Sequence, residues 1–211
     1  MKKLLILAVL AAGTCLAETT PVMVSLVTPV QAPSADFDVT GLRLDLIYGQ
    51  AHNVTGLDLG IIHHTRGDFT GLELGGANII GDRFIGGQLG LLNTINNGAQ
   101  AWETLSYGAQ VGLVNNADSF CGLQDGFLNF SNHSFTGLQS SLLNVANDLR
   151  GVQCGYYLIF GVNVVSGDMR GCQLGLVNYA QTMEKGVQIG LVNIISRNGW
   201  MPVFPFVNGS F

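Results

Sequence analysis

The sequence predicts an all-β fold built from one repeated unit. The first observation is a glycine-centred phrase, GGQLGLLN, GAQVGLVN, GCQLGLVN or GVQIGLVN, which begins at Gly86, Gly108, Gly171 and Gly186. The second is the alternation of apolar and polar residues within each phrase, which is typical of a β-strand with two different faces. The third is that turn-forming segments such as NADS, SNHS and RGD separate the phrases. Each unit therefore predicts one strand of about ten residues and a tight connection.

The repeat has a period close to 15 residues and covers most of the chain. Aligned on their first glycine, which we number position 0, ten units begin near residues 41, 56, 71, 86, 108, 122, 137, 151, 171 and 186. The segment 21–30 and the C-terminal strand 202–211 add two more strands, which makes twelve. We therefore predict a single all-β repeat domain over residues 18–211.

The N-terminus predicts a signal peptide over residues 1–17. Two lysines precede an apolar run from Leu4 to Ala12, and small residues follow up to Ala17. This is the three-part pattern of a secretory signal, so we expect export with cleavage after Ala17. A lipoprotein cut before Cys15 is the competing interpretation, but the residues before this cysteine fit a lipobox poorly.

The composition argues against one class of partner. Charged residues make up 11% of the chain, the net charge is -5, and no basic cluster is present, so binding to nucleic acid is not expected. Average globular proteins carry roughly 25% charged residues. The water-facing side of this protein therefore needs an explanation.

Two architectures can use such a unit. In an up-and-down barrel each repeat is one strand and neighbours run antiparallel, whereas in a parallel β-solenoid each repeat is one coil and the recurring Asn at position +7 forms a ladder. The long insertions near 94–107 and 157–169 would lie at one end of a barrel, as in outer-membrane barrels. However, the apolar band would be only about 10–15 Å tall, against about 25 Å in such barrels. We expect an antiparallel barrel of about twelve strands, with the solenoid as the alternative.

The units TGLDLGIIHHTRGDF and GVQIGLVN and the ending NGWMPVFPFVNGSF resemble an uncharacterised family of bacterial surface-repeat proteins with G-x-Q-x-G-L-x-N units. The resemblance covers most of the chain after residue 17. It implies a bacterium with two membranes and a place in the outer membrane or at the cell surface, but it supplies no activity and no functional residues. The unit GLQDGFLN departs from the pattern because Asp125 stands on its apolar face.

Position +2 is polar in every unit and forms a candidate polar belt. Its members are Arg43, Asp58, Glu73, Gln88, Gln110, Gln124, Gln139, Gln153, Gln173 and Gln188. One interpretation is structural: a charge cluster continued by an amide ladder, since unpaired charges on a confined face are expensive. The other is a polar lining that tunes the passage of solutes through a narrow pore.

Other polar residues predict no chemistry. His63 and His64 are adjacent and point to opposite faces of a strand, so we expect turn histidines rather than metal ligands. In a barrel Cys154 and Cys172 would face each other within disulfide reach, and in a solenoid they would be two residues out of step. No catalytic, cofactor or metal site is predicted.

The sequence thus predicts an exported outer-membrane barrel with a structural or narrow-pore role and membrane lipid as its partner. The alternative is a soluble or surface-displayed β-solenoid that acts as a binding or adhesion module.

Overall fold

The computed structural model describes residues 18–97, 104–156 and 160–211, and it shows a parallel β-solenoid of about eleven turns. The all-β prediction is confirmed, but the antiparallel barrel is wrong. Neighbouring repeats pair in parallel and in register, so that Gly41 lies beside Gly56 and Gly56 beside Gly71. The predicted signal peptide, residues 1–17, lies outside the described residues.

Twelve strands are described, and they follow the coils of the solenoid. They are β1 (Thr19–Val27), β2 (Val30–Ala32), β3 (Asp38–Ala51), β4 (Val54–Thr65), β5 (Phe69–Leu74), β6 (Ala77–Ile80), β7 (Phe84–Ile95), β8 (Ser106–Ser140), β9 (Leu143–Cys154), β10 (Val162–Leu174), β11 (Val177–Arg197) and β12 (Val203–Ser210). The order along the sheet is β12-β11-β10-β9-β8-β7-β5-β4-β3-β1-β2, and β6 pairs with β4 and β7. Only β2 and β12, at the two ends, pair antiparallel with their neighbours.

The barrel prediction is wrong because one unit forms a complete coil of the solenoid rather than one strand. Each unit runs outward through positions -2 to +3, turns near positions +4 and +5, and returns through positions +6 to +9. The glycine at position +4 is part of this turn and lies against the asparagines of the interior. At Gly112, for example, an added Cβ would lie 2.7 Å from Asn93 Nδ2. Parallel stacking of the coils then places identical residues side by side. The centre G-x-Q-x-G is palindromic, so antiparallel strands could have paired the same residues.

The two insertions extend different turns, which explains why their spacing misled the barrel prediction. The first follows Ile95 at one edge of the coil, and the second follows Tyr156 at the opposite edge. Residues 98–103 and 157–159 of these insertions lie outside the described residues.

The interior holds an apolar part and a polar part side by side. Near one edge, position -2 carries Phe69, Phe84, Phe120 and Phe135, whose ring centroids stack 5.8–6.4 Å apart. Aliphatic residues at position +9, such as Ile80, are buried with them. Positions +2 and +7 fill the rest of the interior with amide side chains. Apolar burial thus accounts for only part of the packed interior.

The close approach of successive coils requires glycine at position 0. Gly137 has a φ of 132°, and a Cβ built on it would lie 2.1 Å from the carbonyl oxygen of Gly122 in the preceding coil. No side chain fits at that distance, and a positive φ is costly for every residue but glycine.

Candidate functional site

The predicted polar belt is a single buried column. The structure brings all ten residues into register, from Arg43 through Asp58 and Glu73 to the seven glutamines, and each is between 0% and 2% exposed. Each glutamine Nε2 donates to the side-chain oxygen of the preceding coil over 2.7–2.9 Å. The amides therefore bond to one another in a packed interior, as the structural interpretation of the belt requires.

A second column runs beside the first at position +7. Its members are fully buried and linked by bonds of 2.7–3.0 Å: Asn78, Asn93, Asn115, Asn129, Asn144, Asn163, Asn178 and Asn193. Asn163 follows the second insertion and takes the place of position +7 in its coil, where it pairs with Asn144 and Asn178. This is the asparagine ladder that the solenoid alternative predicts. Each Nδ2 also donates to a backbone carbonyl, for example Asn93 to Val111 over 3.0 Å, which fixes the orientation of the amide.

The two columns donate in opposite directions. The asparagine N–H groups point toward the C-terminal coils, whereas the glutamine N–H groups point toward the N-terminal coils. The donor end of the glutamine column meets Glu73, whose Oε2 accepts from Gln88 over 2.8 Å. The Oε2 of Glu73 can accept whether this carboxyl group is protonated or not, and it completes a chain of hydrogen bonds that polarise one another. Glu73 thus supplies the acceptor that the first glutamine of the column requires.

The N-terminal coils enclose a cluster of five buried ionisable groups: Arg43, Asp45, Asp58, His63 and Glu73. Arg43 Nε lies 2.8 Å from Asp58 Oδ2 and 3.2 Å from Asp45 Oδ2. His63 Nδ1 lies 2.9 Å from an oxygen of each of these aspartates. Two cations thus face two carboxylates, and the fifth group, Glu73, lies at the edge of this network with its Oε1 3.9 Å from Arg43 Nη2.

The environment shifts the pKa values in a consistent way. Burial and the nearby charge of Asp58 raise the pKa of Glu73 to about 7. Burial opposes the charge on His63, but hydrogen bonds to Asp45 and Asp58 outweigh it and raise its pKa to about 10. Burial likewise disfavours the charge on Asp58, yet its bonds to His63 and Arg43 hold its pKa below the ordinary value. With Glu73 protonated, the positive and negative charges of the cluster balance.

Sequence reasoning missed two members of this cluster. Asp45 stands at position +4, where most units carry glycine, and the small Gly49 leaves room for its carboxylate. His63 stands at position +7, in the asparagine column, so it lies in a strand rather than in a turn as expected. The departure of these two residues from the repeat was the signal that could have revealed them. His64 does point to the opposite face, where its Nδ1 lies 3.1 Å from the hydroxyl of Tyr48.

The ligand-type atoms of Asp45, Asp58 and His63 lie within 4.8 Å of one another. This is the spacing of a metal site, but the guanidinium of Arg43 already lies against both carboxylates. The arrangement is therefore a network of buried ion pairs in which arginine takes the place of a cation.

The Cys154–Cys172 disulfide that a barrel would allow is not formed, and both side chains are free thiols. Parallel pairing places Cys172 beside Val152 and Cys154 beside Leu174, two residues out of step. Burial raises the pKa of both thiols.

The surface carries a second feature, which we name the apolar ridge. It follows the turn at positions +3 to +6, and its residues are 38–63% exposed. They are Leu46, Ile47, Ile61, Leu74, Leu89, Leu91, Leu92, Leu113, Phe127, Leu176, Ile189 and Leu191. Asp125, at position +3, is the one charged residue of the described coils that interrupts the ridge.

A shallow groove of about 510 Å³ crosses the middle of the ridge. Leu89, Val111, Asp125 and Tyr156 are among the residues that line it. Tyr156 bends across the neighbouring coils, and its hydroxyl donates to the carbonyl of Gly126 over 2.6 Å.

Charged side chains are concentrated on the opposite edge. Apart from Asp125 and the buried cluster, those of the described residues lie in or beside the turns that join position +9 to the next coil. Some form exposed pairs: Arg66 Nη2 is 2.7 Å from Asp36 Oδ1, and Arg83 Nη2 is 3.2 Å from Asp68 Oδ2. The long axis of the solenoid thus separates an apolar edge from a charged one.

The chain matches no protein-family model, no curated protein and no solved structure. The resemblance to bacterial surface-repeat proteins therefore stays a prediction. Among the described residues, no helix has the length and hydropathy that a membrane span requires.

Proposed function

We propose that this protein is an exported, surface-displayed β-solenoid that acts as a non-catalytic binding module, and that the apolar ridge is its binding surface. The observation that carries the proposal is the exposure of twelve large apolar side chains along one edge of the described coils. Monomeric soluble proteins seldom leave a contiguous apolar patch of this kind uncovered, and such patches mark interaction sites.

The interior supports a scaffold role rather than a reactive one. The side chains of Arg43, Asp58 and Glu73, three members of the buried charge cluster, are 0% exposed. A substrate would have to open the coils to reach them. The amide columns that continue from this cluster hold successive coils in register and thereby align the ridge residues of neighbouring coils.

Fractionation of a two-membrane bacterial host that expresses the protein tests this proposal. We expect the wild-type chain to sediment with the cell envelope and the double variant Leu91→Asp/Leu113→Asp to be released into a soluble fraction. Both side chains are more than half exposed, so the substitutions leave the interior intact. Circular dichroism of the purified variant should show unchanged β-structure.

The matched control places two aspartates on the opposite edge. Thr70 and Thr136 are exposed at position -1, beside the charged turns, and Thr70→Asp/Thr136→Asp should remain with the envelope. The proposal fails if the wild-type protein is soluble without detergent, or if the ridge and control variants fractionate alike.

A further inference from the structure

We propose that the partner of the apolar ridge is a lipid bilayer, with the ridge in the interfacial layer and the solenoid axis parallel to the membrane plane. This inference rests on the proposed function, because it names what the same ridge binds. Three features favour lipid over a second copy of the chain or another protein: the shape of the ridge, the chemistry beside it and the position of the charges.

The ridge is a narrow edge with apolar flanks. At its tip, position +5, Ile61, Leu91, Leu113 and Leu191 are 54–63% exposed. One flank continues at position +1 with residues such as Leu72, which is 57% exposed. The other flank, at positions +6 and +8, carries mostly valine, leucine, isoleucine and aromatic residues. The apolar surface thus wraps around the turn.

The area of the tip is too small for a stable dimer. Ten coils about 4.8 Å apart make a ridge roughly 45 Å long, and two strand layers about 10 Å apart set its width, so the tip presents roughly 450 Å². Stable protein interfaces bury about 800 Å² on each partner. Two ridges packed tip to tip would leave both pairs of flanks in water. A fluid hydrocarbon layer covers the tip and both flanks together.

The charges lie where an interfacial protein needs them. Elements that lie in a membrane surface bury an apolar face about 5–10 Å deep and keep their charged face in water. Here the charged turns occupy the edge opposite the ridge and carry both signs, as in the pairs Arg83–Asp68 and Arg170–Glu184. Since no cationic patch borders the ridge in the described coils, the bilayer need not be anionic.

Asp125 is a charged residue within the apolar ridge, and it provides an additional test of the proposal. It is partly exposed within the ridge, next to the exposed Phe127. A carboxylate there opposes insertion of the central coils. The preceding unit has Val111 at the same position, so the fold accepts an aliphatic residue at this point.

Flotation with vesicles of pure phosphatidylcholine tests the inference on the purified, exported chain. We expect the wild type to float with the vesicles, with little dependence on salt. Ile61→Asp, Leu113→Asp and Leu191→Asp lie at the two ends and the middle of the ridge, and each should lower the partition coefficient about tenfold. Thr136→Asp, on the opposite edge, should leave it unchanged.

The variant Asp125→Val should raise the partition coefficient several-fold. This variant is informative because misfolding could explain a loss of binding in the aspartate variants, whereas a specific increase in binding is not expected from a damaged fold. Equal losses from the three aspartate variants would support an axis parallel to the membrane. A loss confined to Leu191→Asp would overturn that orientation in favour of an end-on contact.

The outcomes separate this inference from the function on which it rests. If the ridge variants are released from the cell envelope but the wild type does not float with pure lipid, the partner is not the bilayer. The proposed binding function is then retained and the lipid inference is overturned. If light scattering shows a dimer that Leu113→Asp dissociates, a second copy covers the ridge and the lipid inference is overturned. If the ridge variants change neither fractionation nor flotation, both proposals fail.

Discussion

Removal of one glutamine from the middle of its column should cost more stability than removal of the last one. Gln139 makes two bonds within the column: its Nε2 donates to Gln124 Oε1 over 2.7 Å, and its Oε1 accepts from Gln153 Nε2 over 2.8 Å. Gln188 ends the column: its Nε2 donates to Gln173 over 2.7 Å and to the part-buried backbone carbonyl of Ile194 over 3.1 Å, while its own Oε1 has no hydrogen-bond partner. The two positions thus form a matched pair within one chain.

The magnitude follows from the groups left without partners. Gln139→Leu keeps the volume of the side chain approximately but orphans one buried acceptor and one buried donor. Each such group costs about 1–3 kcal/mol, so we expect a loss of about 4 kcal/mol in the free energy of unfolding. Gln188→Leu orphans one fully buried group, the acceptor of Gln173, and also removes a donor from the carbonyl of Ile194. Because that carbonyl is only part-buried, the total cost should be about 2 kcal/mol.

Urea unfolding followed by circular dichroism measures this difference. With an m-value of about 2 kcal/mol/M, the midpoints should fall by about 2 M for Gln139→Leu and about 1 M for Gln188→Leu. Equal losses at the two positions would show that packing, and not the ladder of hydrogen bonds, gives the column its stability. A wild-type midpoint for Gln139→Leu would refute the reasoning altogether. Because repeat proteins can unfold in stages, the m-values should be compared first.

Two further predictions concern the coil spacing and the buried acid. Gly137→Ala should cost more than about 3 kcal/mol or abolish folding, because the new Cβ meets the carbonyl of the preceding coil at a positive φ. Gly87→Ala, whose Cβ would meet only the end of the Leu72 side chain, should change the urea midpoint little. Glu73→Gln should stabilise the protein by up to about 3 kcal/mol at pH 8 but not at pH 4. The folded-state pKa of Glu73, about 7, lies above its ordinary 4.5, so wild-type stability falls as pH rises between these values. Equal effects of Glu73→Gln at both pH values would contradict this origin.

The repeat was readable from the sequence, but the direction of neighbouring strands was not. A unit with the pattern G-x-Q-x-G aligns with itself in parallel or, because it is palindromic, in antiparallel fashion. The asparagine at position +7 breaks this symmetry, since parallel stacking places the asparagines of successive coils side by side, as in the pair Asn129–Asn144. The lengths of the two insertions carried no such information, because a solenoid can extend either turn.

The members of the buried belt were predictable, but their partners were not. Position +2 identified Arg43, Asp58 and Glu73 as neighbours from spacing alone. Asp45 and His63 joined them because the coil folds back, which brings positions +4 and +7 to the same interior as position +2. If each unit were one extended strand, positions +2 and +7 would lie far apart along that strand. The prediction of one strand per unit therefore could not bring His63 to Arg43 and Asp58.

The position of the apolar residues follows from the polar interior. Amide columns occupy the part of the coil behind the turn, so the leucines beside them face outward. Folding does not require them there, since a polar residue at position +5 would leave both columns intact. Yet eight of the ten units carry Leu, Ile or Phe at this position. Such a surface lowers solubility unless something covers it. An interior held by hydrogen bonds thus leaves the apolar residues available for binding, and this division of roles makes the ridge the site to test.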